Sequence, residues 1–448
     1  MHGLKRKISL VQATAINMID MVGIGPFVVM PLVVSYFNSG LFLWAWVFGA
    51  CVAFIDGMIW SELGAKYPLA GGTYNFHRIA FGEKGGRLMS FLFVWQTSIQ
   101  APLVVASGAI GFAQYLSYLV DLNFWQQKMV SGGLVILVFL LLYRKIETVG
   151  KISVVLGSIV ILTILWIIIS GLSNQHHSVN LLPRGNESLF SKDFIAAIGL
   201  GSVQTVYAFL GYYNVCHLGG EIKEPGKNIP RSIFISILGI ALLYLLMNVS
   251  VMGVLPLQSV KENDKFLVSS FMEQLFGNGA GNTVTILILF IALSSLFAVV
   301  LGYSRVPYAA AVDGNFFKIF SRLHPTKDFP HVSLTVLCAV GFLFSLIFKL
   351  SDVITAILSM RILIQFIGQA VGVSLLRQRF GDKNLPFKMW LFPVPVILSV
   401  VVWLFLFYST RWFALWGSLI AIAGVVIYSI KEANSKPDLQ KLLDDLPS

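Results

Sequence analysis

Charge is scarce in this chain. Asp, Glu, Lys and Arg make up 12% of its 448 residues, while 56% are hydrophobic and the mean hydropathy is +0.80. Soluble proteins carry roughly twice that charged fraction, so a string of soluble domains is excluded. Cysteine is almost absent. The three present, Cys51, Cys216 and Cys338, all fall in apolar segments. They cannot form a secreted-type disulfide framework and are expected to pack as small apolar groups. No Walker A, HExxH or nucleophile-elbow motif occurs. Catalysis and ATP-driven transport therefore lack support, and no cofactor is implied. A cleavable signal peptide is also missing. Lys5-Arg6-Lys7 precedes an apolar run too long for a signal core, with no small-residue cleavage site at its end. The first segment is expected to stay in the membrane, with residues 1–8 as a cytoplasmic N-terminus.

What fills the chain is apolar runs. A spanning helix needs about 20 residues. That ruler gives about twelve transmembrane helices, near 9–37, 40–65, 86–119, 127–143, 150–172, 194–219, 231–255, 281–312, 332–350, 352–376, 388–408 and 412–430. Turn clusters such as Asn38-Ser39-Gly40, Pro68 to Gly72 and Pro225-Gly226 separate them. The class is an all-α polytopic membrane protein in the cell membrane. Its lipid bilayer partner follows from the hydropathy.

Charge tests the topology. With the N-terminus inside, about 24 of the 32 Lys and Arg residues fall in cytoplasmic loops and tails, and about 7 outside. This asymmetry accounts for the net charge of +11 without nucleic acid. The tail at 431–448 is expected in the cytoplasm. His176-His177 read as solvated loop residues, and Asn186-Glu187-Ser188 is a glycosylation sequon on the same outside loop.

Two segments are interrupted by glycine. Val22-Gly23-Ile24-Gly25-Pro26-Phe27 breaks segment 1, and Tyr207-Ala208-Phe209-Leu210-Gly211-Tyr212 breaks segment 6. Hydrocarbon cannot satisfy free backbone groups, so an unwound stretch at mid-membrane must line a cavity. Two breaks five segments apart point to a substrate site between inverted repeats. Close helix packing by glycine is the plainer reading of either break alone.

Four motifs, in order and on the expected segments, make the chain resemble the amino acid–polyamine–organocation superfamily of secondary transporters. They are Gly23-Ile24-Gly25-Pro26-Phe27; Glu62-Leu63 through Pro68, Gly71-Gly72 and Tyr74; Tyr207 to Tyr212 followed by Glu221-Ile222-Lys223-Glu224-Pro225; and Tyr303-Ser304-Arg305 with Asp313-Gly314. The resemblance runs from about Ser9 to Arg377 and is weaker in the last two segments. It implies a LeuT-like fold of two inverted five-helix repeats, residues 9–172 and 194–376, with segments 1 and 6 broken. Two extra helices follow over 388–430. It also implies amino acid transport.

At each break a half-helix presents its end to the cavity. The outer half of segment 1 begins with free amides and a partial positive charge, at Gly23, Ile24, Gly25 and Phe27. These suit a substrate carboxylate. Carbonyls near Tyr207, Ala208 and Leu210 suit an ammonium. A zwitterionic amino acid matches that arrangement end to end. Pro26 suits the first helical position. The resemblance makes Tyr207 an aromatic gate.

Coupling has two candidates, Na+ and H+. A lysine that many proton-coupled relatives carry on segment 5 is replaced here by Val160. Ser294 and Ser295 fall where sodium-coupled relatives use hydroxyls, although membrane serines also bond their own helix. Three charges lie at similar depth, Asp20, Asp56 and Arg361, and either couple transport or hold helices together. Glu62, Glu221, Arg305 and Asp313 sit at cytoplasmic helix ends and read as gate or scaffold ion pairs. The reading is a secondary active transporter of amino acids working by alternating access. The alternatives are a polyamine or organic-cation transporter, and a transporter-like nutrient sensor. Oligomeric state is not readable.

Overall fold

The computed structural model describes residues 5–177, 183, 188–262, 266–348 and 350–434. The helices, in order, are α1 (Leu10–Met21), α2 (Gly25–Ser35), α3 (Leu43–Lys66), α4 (Thr73–Ala80), α5 (Gly82–Leu116), α6 (Phe124–Leu142) and α7 (Ile146–Ser173). Next come α8 (Lys192–Phe209), α9 (Asn214–His217), α10 (Pro225–Val254), α11 (Leu257–Glu262), α12 (Leu267–Phe276), α13 (Asn278–Tyr303) and α14 (Arg305–Val312). The chain ends with α15 (His331–Ile347), α16 (Leu350–Arg361), α17 (Gly368–Phe380), α18 (Val394–Ser409) and α19 (Trp412–Asn434). A π-helical turn, Ile362–Ile367, joins α16 to α17. Among the described residues there is no sheet, only two isolated bridges. Asn186 and Glu187 of the sequon lie outside the described residues, as does 435–448.

Local chemistry sets the ends. Ser9 and Gln12 form a capping box that starts α1, and Asn123 and Gln126 repeat it for α6. The Pro225-Gly226 pair, read above as a turn, instead opens α10. Proline lacks the N–H that a first helical residue cannot use, so segment 7 begins six residues earlier than its apolar run. Segment 6 stops at Phe209 rather than continuing to 219. The helix α4 lies in the loop after segment 2.

Eight helices among the described residues are long and apolar enough to cross a membrane, or nine if the α1–α2 pair counts as one span. That pair bends by 45° at the break. The other three of the twelve segments are carried by α8, α15 and α18. Of these, α15 and α18 are apolar but short, with 17 and 16 residues. This is a multi-pass membrane protein.

The helix α1 sits at the centre, packed on α7, α10 and α13, while α3 packs on α8 and α10. Trp46, Trp60 and Trp403 fill the interior. The faces of α6, α7 and α19 present Leu140, Leu162 and Ile422 outward, as a lipid-facing surface requires. Cys216 and Cys338 are buried, but Cys51 departs from the expectation and is exposed on the outer face of α3.

Candidate functional site at the two helix breaks

The α1–α2 break spans Val22 to Ile24. No hydrogen bond is made by the amides of Gly23, Ile24 or Gly25 among the described residues, and Pro26 has no N–H to offer. These are the free donors of a helix start. The α8–α9 break spans Leu210 to Tyr213. Gly211 adopts φ +124°, which favours glycine. A Cβ there would lie 2.7 Å from the Met21 nitrogen and 2.8 Å from Asp20 Cγ, so the two breaks meet backbone to backbone.

One residue ties them together. The Tyr244 hydroxyl, from α10, lies 2.8 Å from the Met21 carbonyl and 3.2 Å from the Ala208 carbonyl. It has one hydrogen to donate, shared between the two half-helix ends. Its ring is held edge-on by Trp46 and Phe209. Asn214 adds a second tie. Its amide donates to Asp20 Oδ2 at 2.8 Å and to the Ala298 carbonyl at 2.7 Å, linking α9 to α1 and α13.

A cavity opens between the breaks. It has about 60 Å³ swept by the centre of a water-sized sphere. One water needs about 10–15 Å³ on that measure, so the space takes more than one water, or one small polar molecule. Its walls come from both breaks and from α5, α13 and α16. Polar groups are few: Ser107, Ser295, Tyr207, Tyr213, Tyr303, and the charged Asp20 and Arg361.

A family model described as amino acid permease matches residues 8–430. The chain belongs to the amino acid permease family. It is a membrane transport protein and not an enzyme. It is 28% identical to an uncharacterised amino acid permease of Bacillus subtilis (strain 168), over 75% of this chain and 76% of that one. It is 26% identical to a serine/threonine exchanger of the same organism, over 91% and 92%. An aspartate–proton symporter, also from that organism, is 25% identical over 84% and 73%.

Of the residues expected to bind substrate in this permease, Gly23, Ile24, Gly25, Tyr207, Ala208 and Leu210 line the cavity. Phe27 does not; its side chain is fully buried in packing. Pro26 sits in the first turn of α2. Tyr207 lies over Gly25, where a Cβ would be 3.4 Å from Tyr207 Cε1, and its hydroxyl is 3.4 Å from Ser107 Oγ.

The three deep charges separate. Asp20 and Arg361 face one cavity, and neither is within ion-pair distance of a partner among the described residues. Asp56 lies elsewhere. Its Oδ2 accepts from Tyr212 at 2.6 Å and Trp60 at 2.8 Å, and its Oδ1 from Trp403 at 3.3 Å. Tyr213, next to Tyr212, contacts Arg361 Nη1 with its hydroxyl.

The serines also diverge. Ser294 donates to Phe290 of its own helix at 2.6 Å, while Ser295 reaches the Asp20 carbonyl at 3.3 Å. Val160 is buried one turn beyond Gly157, where α7 meets Ala15 and Ile19 of α1. No cluster of three metal-ligating side chains occurs among the described residues, His176 and His177 included.

The residues at the N-terminal side of the bundle form ion pairs. Arg305 grips Glu221 through two bonds of 3.0 and 3.2 Å, and Arg377 grips Glu62 through bonds of 2.7 and 2.5 Å. Asp313 accepts from Arg78 and Tyr74. Glu62 and Glu221 are paired and are not among the residues that line the cavity.

Proposed function

We propose that this permease carries a small zwitterionic α-amino acid, held between the two helix breaks, by alternating access. The observation that carries this is the pairing of free amides at the start of α2 with carbonyl ends of α1 and α8 around one small cavity. Amides and the positive helix end suit the carboxylate, and carbonyls suit the ammonium. Tyr207, which spans from Gly25 to Ser107 across the cavity, is its gate. The framework is twelve spans in two inverted five-helix repeats, 9–172 and 194–376, with two helices after them. Both termini lie in the cytoplasm, a placement supported by the distribution of Lys and Arg.

The cavity's two charges cancel, which favours a net-neutral substrate. A polyamine is opposed by Arg361 in the same cavity. For coupling, a proton is better supported than sodium. Asp20 is a carboxylate lining the cavity, whereas of the two serines only Ser295 lines it and Ser294 does not. The named relatives differ in coupling and substrate, so neither is transferred from them.

The test is uptake by purified protein in liposomes, with pH gradient, sodium and internal substrate varied separately. Gly25→Leu is the control at the site. A Cβ alone would touch Tyr207 at 3.4 Å, so the rest of the leucine must displace the ring or fill the cavity. Binding should be lost while the protein still inserts. Normal affinity in Gly25→Leu would remove the site from the breaks.

A further inference from the structure

Among the described residues three arginines lie inside the protein, and two of them are spoken for. Arg305 and Arg377 each hold a glutamate through two hydrogen bonds, with side chains 3% and 8% exposed. Arg361 is as deeply buried, at 2%, yet has no carboxylate within ion-pair distance among the described residues. One nitrogen meets the Tyr213 hydroxyl. The guanidinium lies 5.2 Å from the centre of the Tyr303 ring. Among the described residues its Nε–H has no partner, and neither does the Tyr303 hydroxyl. Both residues line the cavity at the breaks. Buried donors left unpaired are costly, and a charged one more so.

We propose that Arg361 and Tyr303 read the substrate's side chain, and that this side chain carries an uncharged acceptor oxygen, as a hydroxyl or a primary amide. The inference rests on the reading that the α-amino and α-carboxyl groups occupy the helix ends. Those ends lie on α1, α2 and α8, whereas Arg361 and Tyr303 come from α16 and α13 and form a different part of the wall. Charge decides between acceptors. With Asp20 ionised, its charge and that of Arg361 balance each other in the cavity. A side-chain carboxylate would add an uncompensated charge in a low-dielectric site, and an amide or hydroxyl would not. Size points the same way, since a space of about 60 Å³ admits a short side chain more readily than a long one. A site built to bond a hydroxyl rejects the apolar isostere strongly, because its own polar groups are then left unpaired.

The experiment uses isosteric pairs, which share every backbone group. Binding of threonine against valine, asparagine against leucine, and asparagine against aspartate is measured on wild type, Arg361→Met, Tyr303→Phe and Gly25→Leu, with uptake into liposomes alongside. Wild type should favour threonine over valine by about 100-fold or more, and asparagine over both leucine and aspartate. Tyr303→Phe and Arg361→Met should narrow the threonine-to-valine ratio to about 10-fold or less, mainly by losing threonine affinity. Tyr303→Phe removes a single oxygen and keeps the test alive if Arg361→Met does not fold. Equal binding of threonine and valine by wild type overturns the inference and hands the unpaired donors to water. Equal loss of threonine and valine in Arg361→Met also overturns it, since Arg361 would then be reading the shared carboxylate. Preference for aspartate overturns the charge argument. If Gly25→Leu binds every amino acid normally, it is the placement at the breaks that has failed. A side-chain preference lost in Tyr303→Phe while Gly25→Leu loses all binding supports both.

Discussion

Tyr244→Phe removes one oxygen from the centre of the molecule and nothing from its packing. The ring stays between Trp46 and Phe209, at centroid distances of 5.4 and 5.3 Å. What goes is the shared hydrogen to the Met21 and Ala208 carbonyls, at 2.8 and 3.2 Å. Both are carbonyls at buried ends of broken helices, open to other donors only from the cavity side. Leaving a buried acceptor unpaired costs about 1–3 kcal/mol. Two acceptors share one hydrogen, so the loss is nearer one such cost than two. Because Tyr244 holds the spacing between the breaks, that cost should fall on substrate binding, as an affinity loss of about 5- to 150-fold. The assay is substrate affinity of detergent-purified protein, by calorimetry or by substrate-induced thermal shift. Tyr115→Phe is the matched control. That residue is equally buried, but its hydroxyl has no partner, so its removal should be neutral or slightly stabilising. If Tyr244→Phe and Tyr115→Phe bind substrate equally well, the hydroxyl does not set the spacing and the argument fails.

Other outcomes follow from the same contacts. Tyr207→Ala should slow transport more than it weakens equilibrium binding, measured as uptake rate against affinity, because a gate acts on the closed complex; wild-type rate places the gate elsewhere. Arg377→Met leaves Glu62 unpaired and should cost about 3–5 kcal/mol, while Glu62→Gln combined with Arg377→Met should cost less than the two changes summed; additive melting shifts would deny the pairing. A double-mutant cycle of Arg361→Met with Asp20→Asn should be non-additive in substrate binding, since both line one cavity, whereas Arg361→Met with Asp56→Asn should be close to additive, because Asp56 is served by Tyr212, Trp60 and Trp403.

Much of the cavity lining was legible because glycine and proline interrupt apolar runs, and a backbone break is a local event. Gly23 to Gly25 and Tyr207 to Leu210 announce themselves in this way. Phe27 shows the limit of that logic. A helix start commits its backbone amide and says nothing about where the side chain packs. Tyr244 and Asn214 were not legible as ties, since a tyrosine in an apolar run is ordinary until its partner carbonyls are known. The depth of Asp56 could be counted in residues, but its three donors come from three different segments of chain. The apolar runs of segments 6, 9 and 11 correspond to α8, α15 and α18, which fall outside the eight or nine membrane-length helices among the described residues. Segment 7 was misplaced at its start because proline terminates helices from one side and initiates them from the other.

The stretch of chain before α1 has a mechanical consequence. The amides of Lys7 and Ile8 both donate to the Glu221 carbonyl, at 2.8 and 2.9 Å, and Lys223 returns a bond to Ile8 at 2.9 Å. Glu221 is in turn clamped by Arg305 at the head of α14. The near ends of α1 and of the strand leaving α9 are thus stitched like two edges of a seam. A seam has only two ways to yield. Either the two elements swing as one lever, carrying both breaks and the cavity floor with them, or the stitches rip in sequence and each step carries its own barrier. In the first case the two elements move together as one rigid piece. In the second, opening is an unzipping whose rate would depend on each stitched residue. Cross-linking Ile8 to Ile222 after cysteine replacement separates them: a lever still turns over when stitched shut, and a zipper stalls.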